Sequence, residues 1–259
     1  MFDIFSGLEE LGFNNVDIDL YKNEKTEENK KDEENKNDPL KLLYDKTIDC
    51  PVCNTQFKTK TVKVGKARLI SQDTDFMPIY ENINPLFYDV IICPKCGYAA
   101  MVSYFNKIRQ FQIELILNNI TPKFKPKKYP DVYDVDIAIE RYKFSLLNCA
   151  IKNAKSSEKA FNCLKIAWMY RLKKDTENEL KFLELAYIGF KEALEKEPFP
   201  VCNMDQYTLM YLIGELARRI GKKDEALIWF GQVIIAKNAR TKIKELAREQ
   251  KDLIKSSVN

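Results

Sequence analysis

Cys50-Pro51-Val52-Cys53 and Cys93-Pro94-Lys95-Cys96-Gly97 are the two stretches on which the reading of this chain turns. Each CxxC pair presents two sulfurs from one tight turn. Two such pairs supply four thiolates, the set that Zn²⁺ takes in tetrahedral structural sites. Pro51 and Pro94 fix φ at the first inner position of each turn. Gly97 can take the positive φ that closes such a knuckle, and Asn54, which follows the first pair, tolerates it next best. Cys50, Cys53, Cys93 and Cys96 are therefore read as the ligands of one zinc ion. A lone CPxC pair is also the mark of a thioredoxin-like redox site, but that site uses one pair in a βαβ setting. Here two pairs sit in a segment with little helical pattern.

The chain has 259 residues and no His. That removes Ser-His-Asp and Cys-His catalysis and every His-ligated metal. Four thiolates closing the shell is the outcome left, and it is the pattern of structural zinc. Hydrophobic residues make up 45% of the chain, enough for a core, and the net charge is only +4. Seven cysteines, four of them in metal spacing, suit a reducing compartment. The opening Met1–Phe13 has no basic segment leading into an apolar run, so no signal peptide is expected. No window approaches the ~18 apolar residues of a membrane span. The expectation is a cytoplasmic protein with no membrane contact.

Residues 1–20 form an N-terminal arm with apolar residues near helical spacing and then an alternating Val16-Asp-Ile18-Asp-Leu20. Residues 21–38 carry twelve charged residues and no aliphatic one, and read as a disordered charged linker. Residues 39–120 are taken as the zinc module with a trailing helix. Within it, Phe57–Val64 alternates β-branched residues with Lys and reads as a strand. Ala67–Ile70 is expected to pair back on it. Residues 73–89 read as a polar-aromatic connection, with Asp73, Asp75 and Asp89 as turn and cap formers. Tyr88–Ile92 reads as a buried strand entering the second knuckle, and Ala99–Ile120 as helix. This is zinc-ribbon logic with an enlarged insert. Residues 121–130, with three prolines, read as a Pro/Lys linker.

Residues 131–259 read as helix throughout, with helices expected near 134–152, 156–173, 176–196, 205–220, 223–236 and 239–255. Gly214, Ala217 and Ala226 allow two helices to approach, Gly221 ends one, and Phe230 fills the groove between them. That is the helix–turn–helix unit of a tetratricopeptide-type repeat. A looser copy runs from Ala160 to Leu194. An ordinary helical bundle without a peptide groove is the alternative. The fold class is thus α+β: a small zinc-ribbon-like β module followed by an all-α, tetratricopeptide-like helical repeat domain. Cys149 and Cys163 fall on helix stripes as buried apolar residues. Cys202 lies in a loop, where a reactive thiol is the alternative to a buried one.

The two knuckles resemble a bacterial family, the uncharacterised domain-of-unknown-function family 2225. The resemblance includes Asp73-Thr-Asp75, Pro78-Ile-Tyr80, Asn84-Pro85 and Tyr88-Asp-Val90. It continues through Ala138–Lys143, Leu164–Trp168 and Glu215–Arg219. It implies a metal-binding N-terminal part joined to tetratricopeptide-like helices and brings no activity with it. Asn54 and Met77 stand where that pattern carries Gly and Arg.

The function expected is a non-enzymatic zinc-binding adaptor whose helical repeats bind a protein or peptide partner. Loss of the zinc is expected to unfold residues 39–105 and to spare the helices. The alternative is a nucleic-acid-binding protein. It would use the basic strand Lys58, Lys60, Lys63, Lys66 and Arg68, which has no acid among its members, helped by the lysines of residues 123–128. An enzyme built on Asp73, Asp75 or Asp89 is a third reading. It lacks a nucleophile–base pair and a glycine-rich phosphate loop in its favour.

Overall fold

Two hairpins carry the cysteines, and the sequence explains both. In the computed structural model, which describes residues 38–256, β1 (Leu43–Asp49) and β2 (Gln56–Val62) pair antiparallel, from Leu43 opposite Val62 to Asp49 opposite Gln56. Their connection is the first knuckle. β5 (Val90–Ile92) and β6 (Ala99–Met101) pair in the same sense, and their connection is the second knuckle. Between them, β3 (Arg68–Gln72) and β4 (Pro78–Glu81) form a third hairpin around the loop Asp73–Met77. The expected N-terminal arm and, apart from Asp38, the charged linker lie outside the described residues.

Two strand assignments differ from expectation. Residues 68–72 pair with 78–81 and not with β2, whose partner is the unforeseen β1. Local closure accounts for it: the five-residue loop 73–77 and the first knuckle each bring two strands together at little loop entropy. Ala99–Met101 is a strand where helix was expected. Ala-Ala-Met favours helix by propensity, and pairing with β5 across the knuckle overrides it. The helix that follows, α1 (Gln110–Asn119), begins only after a 3₁₀ turn at Phe105–Lys107.

Six further helices follow: α2 (Val135–Ile151), α3 (Ser156–Leu172), α4 (Thr176–Lys196), α5 (Gln206–Arg219), α6 (Lys223–Ile235) and α7 (Thr241–Ser256). Asp134, Asp175 and Asp205 cap α2, α4 and α5 by accepting a backbone N–H from Ile137, Asn178 and Thr208. Gly221, at φ +82°, ends α5. Each helix from α2 to α7 packs on the next. At Gly214 an added Cβ would lie 2.9 Å from the Phe230 ring, so α5 and α6 meet only because that residue has no side chain.

The core does not stop at the end of the β module. One cluster of buried side chains joins Met77, Leu86, Val90 and Met101 to Tyr142 of α2, Trp168 of α3 and Tyr211 of α5. A second surrounds the cysteines with Tyr98, Phe105, Ile116 of α1 and Ile120, which caps that helix. The expected Pro/Lys linker, residues 121–130, runs along this join. Phe124 stacks on Phe144 of α2 with ring centroids 5.6 Å apart.

Candidate metal centre

The two knuckles are built alike. In the first, Cys50 N–H donates to Thr55 O and Asn54 N–H to Cys50 O. In the second, Cys93 N–H donates to Tyr98 O and Gly97 N–H to Cys93 O. Asn54 sits at φ 55° and Gly97 at φ 75°, the left-handed turn residues that the sequence placed there. Gly97 is constrained twice, since a Cβ there would also stand 2.5 Å from the Phe124 ring. Thr121 Oγ1 donates to Cys96 O and ties the second knuckle to the end of α1.

The four sulfurs of Cys50, Cys53, Cys93 and Cys96 all lie within 4.8 Å of one another. Cys50 and Cys96 are 3.7 Å apart, and Cys53 and Cys93 are 3.6 Å apart. A tetrahedron of thiolates at the usual ~2.3 Å from zinc has edges of about 3.8 Å, so the donor set fits a four-coordinate ion. Three of the four residues are buried and Cys53 is half-buried. The crowded thiols perturb one another, lowering Cys93 and raising Cys50 and Cys96, and a cation at the centre would take the place of their protons. The four cysteines could hold a metal ion, as their spacing indicated.

A second assembly anchors the module, and sequence reasoning missed it. Asp73, Asp75 and Asp89, expected as turn and cap formers, are ion-pair partners of the helices. Arg171 of α3 donates to Asp73 Oδ2 at 2.7 Å and to both oxygens of Asp75 at 2.6 and 3.0 Å. Its Nε donates to Glu179 at 2.7 Å. Trp168 Nε1 donates to Asp75 at 3.0 Å, and Asp75 is fully buried. From α5, Arg219 donates to Asp73 at 2.8 Å and to Glu215 at 2.7 Å. Thr74 donates its hydroxyl to Glu215 at 2.6 Å, and Tyr211 donates to Thr74 O at 2.9 Å. Phe76 holds a left-handed φ of 68° with its ring 5.4 Å from that of Tyr211. For a bulky residue this backbone costs roughly 1–3 kcal/mol, and the surrounding contacts hold it there. Asp89 pairs with Lys165 of α3 and accepts from Tyr142 of α2. Burial works to raise the Asp73 carboxyl, but the Thr74 N–H and the guanidinium groups of Arg219 and Arg171 outweigh it and hold Asp73 below its ordinary range.

The only sequence signal for this anchorage was the presence of Asp73-Thr-Asp75, Trp168 and Glu215–Arg219 among the resembling motifs. Nothing in the spacing joined them. Met77, where the pattern carries Arg, is buried with its sulfur 3.8 Å from Arg171 Nη1.

The basic stretch is not one strand. Lys58 and Lys60 lie on β2, Lys63 and Lys66 follow it, and Arg68 belongs to β3. Lys60 pairs with Asp45 at 3.0 Å and Asp131 at 3.1 Å, Lys63 Nζ donates to Lys41 O at 2.8 Å, and Arg68 pairs with Glu81 at 3.4 Å. Acids absent from the strand arrive from β1, β4 and the segment before α2. Cys149 and Cys163 are buried, as their stripes indicated. Burial pushes the Cys202 thiol up to about 11, which keeps it protonated and unreactive at neutral pH.

No helix among the described residues is long and apolar enough to cross a membrane. No solved structure matches the chain. A protein of Borreliella burgdorferi, named only as an uncharacterized protein, is 24% identical over 254 residues, which covers 79% of this chain and 88% of that one. The model of a family described as "Uncharacterized protein conserved in bacteria (DUF2225)" matches residues 43–254, most of the chain and all of both knuckles. The cysteine-bearing strands and the helices that hold them are thus one family unit, and the chain belongs to DUF2225.

Proposed function

We propose that this protein is a non-enzymatic, cytoplasmic zinc-binding adaptor in which the zinc is structural. The observation that carries the reading is the closed donor set. Four sulfurs stand at tetrahedral separations, and no carboxylate belongs to the group among the described residues. A catalytic zinc keeps a position for water or substrate, and a Cys₄ shell leaves none. The non-enzymatic reading is supported by the fate of the clustered carboxylates, since Asp73, Asp75 and Asp89 are all engaged by arginine or lysine.

The tetratricopeptide-like reading of the helices is supported by the packing of α3 on α4 and of α5 on α6, with Gly214 against Phe230. Stacked repeats of this kind present an extended concave binding surface. Here α3 and α5 already hold a peptide of the same chain, residues 73–77, through Trp168, Arg171, Tyr211 and Arg219. A protein partner then docks on the surface that the module and helices share, or displaces this loop with an acidic segment of its own.

The test is to purify the tagged protein from its own cells under reducing conditions, with and without nuclease, and to measure its metal and its companions. One zinc per chain, absent in Cys93→Ser, and a protein companion that survives nuclease are the expected results. Iron with visible absorbance would contradict the zinc assignment. Loss of every companion to nuclease would contradict the adaptor.

A further inference from the structure

A cavity of about 660 Å³ opens where β2, residues 121–130 and α2 meet. That volume falls in the range of small-ligand sites, roughly 300–1,000 Å³. Seven cations line it against three acids. All three acids are already engaged: Asp45 and Asp131 by Lys60, and Glu140 by Lys127 at 2.6 Å and the Tyr129 hydroxyl at 2.9 Å. Lys58, Lys123, Lys125 and Arg141 have no carboxylate partner among the described residues.

Arg141 is the telling member. It is 4% exposed, yet among the described residues it makes no direct ion pair, and Glu140, its charged neighbour, is already held by Lys127 and Tyr129. One terminal nitrogen donates to Val90 O, its Nε has no partner, and its guanidinium lies 5.0 Å and 4.7 Å from the Tyr129 and Tyr133 ring centroids. A buried guanidinium without a direct ion-pair partner is costly, and an anion entering the cavity would relieve it. The same cavity also has an aromatic lining. Phe124 and Phe144 stack at an interplanar angle of 18°, and Phe57 lines the same space.

Unpaired cations beside a stacked aromatic wall match a ligand that joins a phosphate to a planar ring. We propose that this cavity binds a nucleoside phosphate, with the phosphate toward Lys58, Lys125 and Arg141 and the base against Phe124 and Phe144. The site goes beyond the adaptor reading and needs no protein partner.

Calorimetric titration of the full chain tests it. The probes are nucleoside mono- and triphosphates, the parent nucleosides, inorganic pyrophosphate and a ten-residue single strand. Nucleotides should bind at least tenfold tighter than nucleosides or pyrophosphate. The double variant Lys58→Glu/Lys125→Glu, at two exposed positions, should weaken them tenfold or more with an unchanged melting temperature. Phe144→Ala should abolish the advantage over pyrophosphate. The proposal fails if nothing binds, if pyrophosphate binds as well as nucleotides, or if the double variant has no effect. It also fails if the single strand binds tenfold tighter than any mononucleotide, which would make the surface a strand-binding one.

Discussion

The β module is held at two places, and they work differently. At the cysteine end, four sulfurs from two matched knuckles close on one point, no more than 46 residues apart in the chain. At the Asp73–Met77 loop, the partners are arginines and a tryptophan that lie 93 to 146 residues away, on α3 and α5. The first clamp is made of residues whose spacing contains its geometry. The second is made of charges that look, one by one, like ordinary surface residues. A chain can therefore advertise one of its anchorages plainly and conceal another of comparable structural weight.

The comparison can be broken most sharply at Asp75. Its carboxylate is fully buried between Arg171 and Trp168. Asp75→Ala would leave Arg171 Nη2 and the Trp168 indole N–H without their acceptor, while Asp73 and Glu179 still pair with Arg171. Hydrogen bonds to a charged group contribute about 1.5–3 kcal/mol each, so the loss should reach about 3 kcal/mol. Urea denaturation should show that loss, while the four cysteines keep their capacity to bind a metal ion. A loss below about 1 kcal/mol, the scale of a surface pair, would demote the loop from clamp to ornament.

A smaller effect separates the clamps by pH. The folded Asp73 carboxyl is lowered from its ordinary 3.8. Its contribution is present above the unfolded value and is lost as pH falls through the folded one. Stability should therefore decline as the medium is acidified below about pH 4, and Asp73→Asn should flatten part of that decline. Asp205 and Glu140 are lowered as well, as are Asp175, Glu192 and Glu225, and all add to the acid limb. An acid limb with the same slope in Asp73→Asn would show that the Arg219 and Arg171 contacts do not set it.

What was legible in the sequence follows the same division. Every helix from α2 to α7 was readable to within a few residues, because aspartate caps, Gly221 and apolar stripes are local signals. The cysteine cluster was readable because CxxC encodes its own turn. The strands were readable only where β-branched residues repeat. β1, Leu-Tyr-Asp-Lys-Thr-Ile-Asp, is mostly exposed and polar, and β6, Ala-Ala-Met, favours helix. Both become strands because a knuckle delivers them to a partner. The fate of Asp73 and Asp75 was not legible, since a D-T-D triplet suits a turn and nothing nearby in the chain reveals Arg171 or Arg219. The cavity was half legible: the lysines of β2 and of residues 123–128 stood out, but not that they face the same space as a buried Arg141.

The shared core also changes what metal loss should do. Sequence alone suggests that residues 39–105 unfold and the helices remain. Yet Val90 and Met101 belong to the same buried cluster as α2, α3 and α5, Arg141 donates to Val90 O, and Asn148 accepts from Ala99 N–H. Structural zinc contributes on the order of 10 kcal/mol to folding, more than a typical domain can lose. The decisive measurement is hydrogen exchange of the full chain before and after chelation in reducing buffer. If module and helices are one cooperative unit, protection should fall together in β5, β6, α2 and α3. If exchange rises only in residues 43–105 while α2 and α3 stay fully protected, the two parts are independent and the account of a doubly clamped single unit is wrong.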